Sequence, residues 1–401
     1  MPRSGSGSLA YQNVPSESYW PTPAGGAAPF TPERRSRKKW WIIGGVLLGT
    51  AAIAAIVAGV VVSQQKNKGG SSSSSASSSG NNAVLSNPND PSVFDKDSRL
   101  HQSMWGIAYT AQGSIPPNCG ATQANVTRDM QLLSQLTTRI RLYSANCNIT
   151  AMVLEGIKAA KVDMKIWPAI YINSDETFNQ AQAKTIEEAI TTYGTDHIEG
   201  ITVGNEYILN TAGTNSLSSS AYLASVSKIH SEIKQLNATI QSMKLSKHLP
   251  IGTSDAGSVM STTLGAGIDY FMANVHPYFG GLAIADAAKW TWDFFQEFDV
   301  APAQASVNKP AVYIAEVGWP SQSMNASAAN SGAGSPQGDA SVANLQTFLD
   351  TYVCQANANG THYFYFEAFD EPWKAQYGGV EPYWGLFDKD RNLKNITIPT
   401  C

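Results

Sequence analysis

Between residues 105 and 371, short apolar runs alternate with longer segments of helical periodicity. Most of the runs are apolar on both faces, which is typical of parallel strands that are covered by helices. Eight such strand–helix units within about 300 residues predict an α/β fold, a (β/α)8 TIM barrel. A doubly wound open sheet is the alternative parallel fold, but no Gly-x-Gly-x-x-Gly motif follows the first run. The eight runs are 105–109, 138–143, 165–172, 198–206, 249–255, 270–278, 311–319 and 362–371.

The N-terminal segment of the chain has a different composition. Residues 1–39 are rich in Pro, Ser and Gly and contain too few aliphatic residues to fold alone, which predicts a disordered tail. Residues 40–62 carry no charge and are long enough to cross a bilayer as one helix. A cleaved signal peptide or a buried helix would also be apolar. The length of the segment and its distance from the N-terminus favour a transmembrane helix over a signal peptide.

The charges around this segment predict its orientation. Five basic residues precede it within 34–39, and only Lys66 and Lys68 follow closely. Positively charged flanks stay on the cytosolic side, so we expect a single-pass type II protein of the cell membrane. The tail would lie in the cytosol and residues 63–401 outside the cell.

The outer part of the chain divides into two regions. Residues 63–99 contain a Gly/Ser-rich tract and are predicted to form a flexible linker. Residues 100–401 would then form the barrel domain. Six N-glycosylation sequons lie on this predicted outer side, and any that is used must be at the surface. They are Asn125, Asn148, Asn237, Asn325, Asn359 and Asn395.

Charge and cysteine content exclude several classes of function. Charged residues make up 14% of the chain and the net charge is −4, so nothing suggests a nucleic-acid partner. None of the four cysteines forms a C-x-x-C pair and there are only six histidines, so we expect no metal site and no cofactor. Four cysteines in an extracellular domain suit two disulfides, with three possible connectivities. We favour the pairs Cys119–Cys147 and Cys354–Cys401.

Polar residues at the ends of the predicted strands are the candidates for chemistry, because barrel active sites lie at the C-terminal ends of the strands. Acids dominate, and no lysine or cysteine stands where a nucleophile would be expected. An ordinary strand-end ion partner is the alternative interpretation for each acid taken singly. The residues are Tyr143, Asn205, Glu206, His276, Tyr278, Glu316, Glu367, Asp370 and Glu371.

Glu206 and Glu316 together favour cleavage of a glycosidic bond. One carboxyl group protonates the leaving oxygen, and the other attacks the sugar or activates water. The fourth and seventh strands lie across a barrel from each other, so long Glu side chains could approach to the gap of about 5–5.5 Å that retaining enzymes need. Glu206 would then be protonated through a raised pKa, and Glu316 would stay ionised, helped by Lys374 if it lies near. Trp319 and the tyrosines could stack on sugar rings.

Two stretches of the sequence resemble the catalytic signatures of glycoside hydrolase family 17, the β-1,3-glucanases. These are VGNE at 203–206 and AEVGWPS at 315–321. WGIAY, NVHPYF and WGLFD at 105–109, 274–279 and 384–388 are also similar. The resemblance covers residues 100 to 390, and the predicted span and Ser-rich stalk resemble the membrane-anchored fungal cell-wall members.

The resemblance implies a role for each matching residue. Glu206 would be the general acid/base with Asn205 beside it, and Glu316 would be the nucleophile. Asn205 would also hydrogen-bond the 2-hydroxyl of the sugar. His276 departs from the plant members, which often carry an aromatic residue there. The remaining supporting and sugar-contacting residues would be Tyr143, Tyr278, Glu371, Lys374 and Glu381.

The sequence therefore predicts a retaining endo-β-1,3-glucan hydrolase that acts on the cell wall from the outer membrane face. A glucanosyltransferase is the first alternative, because it shares the covalent intermediate and passes the sugar to another sugar. Acceptor choice depends on aromatic subsites that the sequence does not place. A glucan-binding wall sensor without turnover would use the same topology and is the second alternative.

Overall fold

The computed structural model describes residues 86–87, 89–213 and 215–401. The predicted cytosolic tail, the predicted span at 40–62 and most of the predicted linker lie outside these residues. Within the described part, no helix combines the length and the apolar character needed to cross a membrane.

Parallel strands form one barrel-like sheet, and they coincide with the eight predicted runs. The pairing follows the chain order from β1 to β8, and β8 pairs with β1. Pro168 divides β3 into two segments, which are the two ends of the sheet: one pairs with β2 and the other with β4. The predicted TIM-type α/β fold is thus confirmed. The strands are β1 Gly106–Ala108, β2 Arg139–Arg141, β3 Lys165–Trp167 with Ala169–Ile170, β4 Ile201–Asn205, β5 Ile251–Ala256, β6 Tyr270–Asn274, β7 Ala311–Val317 and β8 Tyr363–Tyr365.

Helices surround the sheet, and capping side chains begin several of them. Thr122, Asp175, Ser219 and Ser341 each accept a hydrogen bond from a backbone N–H of the first turn, which stabilises a helix start. The helices are α1 Gln123–Leu133, α2 Ile149–Ala160, α3 Glu176–Tyr193, α4 Tyr207–Ala212, α5 Ser220–Ser242, α6 Thr262–Gly265, α7 Ile284–Phe294, α8 Ala301–Ala305 and α9 Val342–Ala358. A π-helical turn, Phe295–Val300, joins α7 to α8, and short 3-10 turns occur at Asn146–Asn148, Gly257–Val259, Ala326–Ala328, Pro372–Tyr377 and Glu381–Tyr383.

The core has two parts, as expected for a barrel whose strands are buried on both faces. A large apolar cluster lies between the sheet and the helices. A smaller one contains Trp167, Tyr270, Met272, Ala315 and Phe364. Strand β5 approaches Tyr270 so closely that a Cβ at Gly252 would lie 2.2 Å from the Tyr270 carbonyl oxygen. Only glycine fits there.

The ordered part begins before residue 100. Strands Ser86–Asn87 and Asp90–Phe94 form an antiparallel hairpin within the segment that was predicted to be linker. Gln131 of α1 donates from Nε2 to the Pro91 carbonyl at 2.6 Å. The hairpin therefore packs on the helical layer of the barrel.

Two disulfides tie distant parts of the domain together. Cys119–Cys147 joins the loops that follow β1 and β2, and Cys354–Cys401 joins α9 to the C-terminal residue. These are the two pairs that we favoured from the sequence.

Candidate active site

Glu206 lies directly after β4, and its environment favours the protonated form. Burial and the nearby charge of Glu316 raise its pKa to about 7. A hydrogen bond from Asn274 Nδ2 to Glu206 Oε1, at 3.0 Å, opposes this shift but does not cancel it. A carboxyl group with such a pKa can hold a proton near neutral pH and give it up in a reaction.

Glu316 on β7 is 6% exposed, and its partners favour the charged form. Burial alone would raise its pKa. His276 and Arg141 outweigh that effect and lower the pKa to about 2. Arg141 Nη1 lies 2.8 Å from Glu316 Oε1, and His276 Nε2 lies 3.1 Å from Oε2. Glu316 is therefore an ionised carboxylate held from both sides.

Arg141 is one of the site residues that sequence reasoning missed. It is 1% exposed and ends β2. Besides Glu316, it donates from Nη2 to Asn205 Oδ1 at 2.6 Å and to Ser254 Oγ at 2.8 Å. An arginine in the apolar run TRIRLY was the signal that could have revealed it, since a buried charge needs partners.

A chain of hydrogen bonds connects the two acids across the barrel. Ser254 Oγ on β5 lies 3.4 Å from Asn274 Oδ1 on β6, and Asn274 bonds Glu206. Arg141 bonds both Ser254 and Glu316. Residues on β2, β5 and β6 thus link the two carboxyl groups and fix their relative positions.

Lys374 does not pair with Glu316, contrary to the role that we considered for it. Its Nζ lies 2.9 Å from Glu367 Oε1 and 2.5 Å from Glu371 Oε2, and 4.6 Å from the centre of the Phe366 ring. Burial and the charge of Glu371 raise the pKa of Glu367, against the effect of Lys374. The structure thus places Glu371 and Lys374 together in a buried cluster with Glu367.

Two other acids of the β8 loop have separate environments. Burial raises the pKa of Glu381, although the charges of Lys374 and His276 oppose the shift. Glu381 therefore lies within the electrostatic reach of the site. Asp370 instead accepts from Lys394 Nζ at 2.7 Å and from the Gly385 N–H at 3.0 Å, which is a structural role.

Trp319 and Tyr278 do not have the accessible rings that sugar stacking needs. Trp319 is 0% exposed and donates from Nε1 to the Asp339 carbonyl at 2.8 Å. Tyr278 is also buried and donates its hydroxyl to the Ala328 carbonyl at 2.7 Å. The two rings pack edge to face, 5.2 Å apart. They shape the wall behind the site, and this corrects their assignment as sugar platforms.

Other aromatic residues are better placed for a substrate. Tyr143 lies under Arg141, 4.3 Å from ring centre to guanidinium carbon. Its buried hydroxyl has no hydrogen-bond partner among the described residues. Phe279 and Trp373, in the loops after β6 and β8, are each 38% exposed. These rings could contact a sugar chain along the rim.

The sequence analysis also addressed metal binding and N-glycosylation. No cluster of three or more His, Cys, Asp and Glu side chains in the described part is arranged to hold a metal ion. The Asn residues of all six sequons are exposed, so each meets the surface requirement for glycosylation.

Residues 106–385 match a family model described as "BtgE/BtgC glycoside hydrolase domain". "Glucan endo-1,3-beta-glucosidase btgC" of Emericella nidulans is 37% identical over 315 residues, which is 75% of this chain and 47% of that protein. "Probable glucan endo-1,3-beta-glucosidase btgC" of Aspergillus fumigatus is 38% identical over 331 residues, 80% of this chain and 45% of that protein. The matches therefore span less than half the length of these relatives.

Solved structures with this fold include other glycoside hydrolases. The family 17 β-1,3-glucanosyltransferase from Rhizomucor miehei superposes with a TM-score of 0.57 at 24% identity, over 74% of this chain and 97% of that one. An endo-laminarinase from Formosa gives a TM-score of 0.58 at 20% identity, over 72% and 84%. At these identities the likeness concerns the fold. The family match covers more than half of the sequence, so the chain belongs to the BtgE/BtgC glycoside hydrolase family, and its predicted resemblance to the family 17 β-1,3-glucanases is confirmed.

Proposed function

We propose that this protein hydrolyses internal β-1,3-glucosidic bonds of cell-wall glucan with retention of configuration. One observation carries the proposal: Glu206, directly after β4, and Glu316, on β7, are joined by hydrogen bonds through Asn274, Ser254 and Arg141. Their environments shift their pKa values in opposite directions, to about 7 for Glu206 and about 2 for Glu316. Carboxyl groups whose environments separate their pKa values in this way suit the acid and the nucleophile of a glycosidase.

In the first step, Glu316 attacks the anomeric carbon while Glu206 gives its proton to the leaving glycosidic oxygen. The bond to the leaving sugar breaks, and a covalent glycosyl-enzyme forms. The negative charge of Glu316 is consumed, so one cause of the raised pKa of Glu206 disappears. Glu206, now ionised, takes a proton from water, which attacks the anomeric carbon and releases Glu316. Two displacements at one carbon restore the starting configuration.

The neighbours of the acids support this sequence of events. Asn205 Oδ1 is occupied by Arg141, so the amide nitrogen remains as the donor for the 2-hydroxyl of the sugar. The bond from Arg141 to Glu316 weakens as that carboxylate becomes an ester. The interaction therefore stabilises the resting nucleophile and orients it for attack.

The substrate and the location are part of the same proposal. The relatives above carry the names glucan endo-1,3-beta-glucosidase and probable glucan endo-1,3-beta-glucosidase, which supports a β-1,3-glucan as substrate. The apolar segment 40–62 with its basic flank, the two disulfides and the six exposed sequons support a membrane-anchored protein whose catalytic domain faces the wall.

Separate substitutions of the two acids test the reaction. Glu206→Gln and Glu316→Ala should each lower turnover of laminarin by a factor of about 10³ or more. Azide should restore cleavage of an activated aryl glycoside to the Glu316→Ala protein as a glycosyl azide, whose configuration reports the face of attack. Glu199→Gln is a matched control, because Glu199 precedes β4 and pairs with Lys247 at the surface.

The products distinguish the proposal from its alternatives. Chains that end in new reducing ends and are shorter than the substrate indicate hydrolysis. Chains longer than the substrate would assign the enzyme to glucanosyl transfer. Binding of glucan with unchanged slow turnover in both acid variants would indicate a sensor and refute the proposal.

A further inference from the structure

Glu206 begins helix α4 in an unusual way. It occupies the N-cap position, but its φ is +53°, in the left-handed region. An N-cap residue ordinarily has an extended backbone, and its own side chain accepts the first free N–H groups of the helix. The Glu206 side chain instead bonds Asn274 in the cleft. The chemistry assigned to Glu206 therefore leaves its helix without a cap of its own.

Asp255 provides that cap from the neighbouring strand. Its Oδ2 accepts the Ile208 N–H at 2.7 Å, and its Oδ1 accepts the Leu209 N–H at 3.1 Å. These are the two donors that an N-cap side chain would normally bond. Asp255 is 0% exposed and forms no ion pair with any described cation. Burying a carboxyl group without a cation is unfavourable, so its position calls for an explanation.

Strand β5 also holds Glu206 from the other side. The Glu206 N–H donates to the Ser254 carbonyl at 3.0 Å, and the Ser254 side chain bonds Arg141. Successive residues of a strand point to opposite faces. Ser254 therefore reaches the cleft, while Asp255 reaches the helix that starts at the acid.

We infer that Asp255 is a positioning residue for the general acid/base: by capping α4 in place of Glu206, it fixes the left-handed backbone that directs the Glu206 carboxyl group into the cleft. This inference rests on the proposed role of Glu206. A non-glycine residue in the left-handed region is strained and persists only where its surroundings hold it. The three hydrogen bonds on Asp255, including that from the Ala256 N–H at 2.9 Å, supply such surroundings.

This role predicts a kinetic signature that simple loss of stability would not produce. A displaced Glu206 would transfer its proton poorly, whereas attack by Glu316 would be unaffected. A sugar leaving group needs that proton, but a dinitrophenolate does not. The comparison uses kcat/KM, which reports the steps up to formation of the glycosyl-enzyme.

The experiment measures kcat/KM of Asp255→Ala on laminaripentaose and on dinitrophenyl β-laminaribioside, with the melting temperature. We expect a decrease of about tenfold or more on the pentaose and of less than about threefold on the activated substrate. Asp175→Ala is the matched control. Asp175 caps α3 through the Thr177 and Phe178 N–H groups, at 3.0 and 3.2 Å, so its loss should lower the melting temperature without changing the ratio of the two values.

An equal decrease on both substrates would overturn the inference and leave Asp255 as a cap with a structural role alone. If Asp255→Ala does not fold, the same ratio in Asp255→Asn decides, because asparagine keeps the volume but loses one acceptor. Glu206→Gln separates this inference from the proposed function. If Glu206→Gln shows no selective loss of kcat/KM on the pentaose, the proposed role of Glu206 is wrong. If Glu206→Gln shows this selective loss but the Asp255 variants do not, only the positioning role of Asp255 is wrong.

Discussion

The proton on Glu206 sets the alkaline limit of the proposed reaction. The acid must be protonated when glycosidic oxygen leaves, so kcat/KM on laminarin should fall as the pH rises through about 7. Glu316 must be ionised, and its pKa of about 2 predicts no acid limb above about pH 4. Rates measured from about pH 4 to about pH 9, with Glu199→Gln as control, check both limbs. An alkaline limb centred below about pH 5 would contradict this assignment.

His276 and Arg141 together keep Glu316, the proposed nucleophile, ionised. Lysine keeps the positive charge but lacks the planar fork that bonds Glu316, Asn205 and Ser254 together. Arg141→Lys should therefore lower kcat by about tenfold to hundredfold and move the acid limb to higher pH, because Glu316 becomes easier to protonate.

Arg139→Lys is the matched control for this variant. Arg139 begins the same strand and lies over the Trp105 ring, 4.8 Å from its centre, at the N-terminal end of the barrel, which is opposite the site. The Arg139→Lys variant should therefore leave kcat and the pH profile unchanged. A wild-type acid limb in Arg141→Lys would contradict this role, because it would show that a positive charge without the guanidinium fork is enough to keep Glu316 ionised.

At the scale of elements, the apolar runs were sufficient to predict the strands and the end of the barrel at which Glu206 and Glu316 meet. All eight runs contain a barrel strand, because parallel strands buried on both faces have few other sequence patterns. The hairpin at residues 86–94 was not predicted. It is short, polar and partly exposed, and it owes its position to a helix that is distant in the sequence.

The same burial on both faces explains what the sequence could not resolve at the site. In a run such as AVYIAEVGW, the pattern does not distinguish a ring that lines the cleft from one that packs under a helix. Trp319 was therefore predicted to contact sugar but is buried. Arg141, Ser254 and Asp255 were missed for the converse reason, since their partners lie on other strands and only the folded barrel brings them together.

The loop after β8 contains the exposed ring for which we predict a role in binding. Trp373 lies edge to face with Tyr377, 6.0 Å away, next to Lys374 of the buried cluster. Trp373→Ala should raise KM for laminarin by about threefold to tenfold with little change in kcat, because stacking on a distant sugar is the same in the ground and transition states.

Val307→Ala is the control for the loop variant. Val307 is the most exposed of the large apolar residues in the described part, at 88%, and it precedes β7 at the opposite end of the barrel. Its substitution should leave KM unchanged. A fall in kcat without a change in KM for Trp373→Ala would place the ring at the reacting sugar and refute a role in remote binding.

At the scale of the whole molecule, the disulfides and the sequons support the proposed location of the domain outside the cell. Two disulfides close loops of 28 and 47 residues, and each is expected to contribute about 3–4 kcal/mol to the free energy of unfolding. Disulfides persist in oxidising compartments. Three further features support the proposed location of residues 63–401 on the outer side of the membrane. These are the exposed sequons, the uncharged segment at 40–62 and the basic flank before it.

The proposed anchor can be separated from the enzyme. As a helix, residues 40–62 would extend about 34 Å, enough for a hydrocarbon core of about 30 Å. We expect the full chain, produced in a fungal host, to stay in the membrane fraction after alkaline carbonate extraction and to lose mass on treatment with an endoglycosidase.

A chain that starts at residue 86 behind a secretory signal should be soluble, with unchanged kcat on laminaripentaose, because the described domain contains the whole candidate site. Two results would refute the predicted topology while leaving the chemistry of Glu206 and Glu316 intact. The first is extraction of the full chain by carbonate. The second is a membrane-bound chain that carries no glycan and whose domain is digested by an added protease only after the cell is opened.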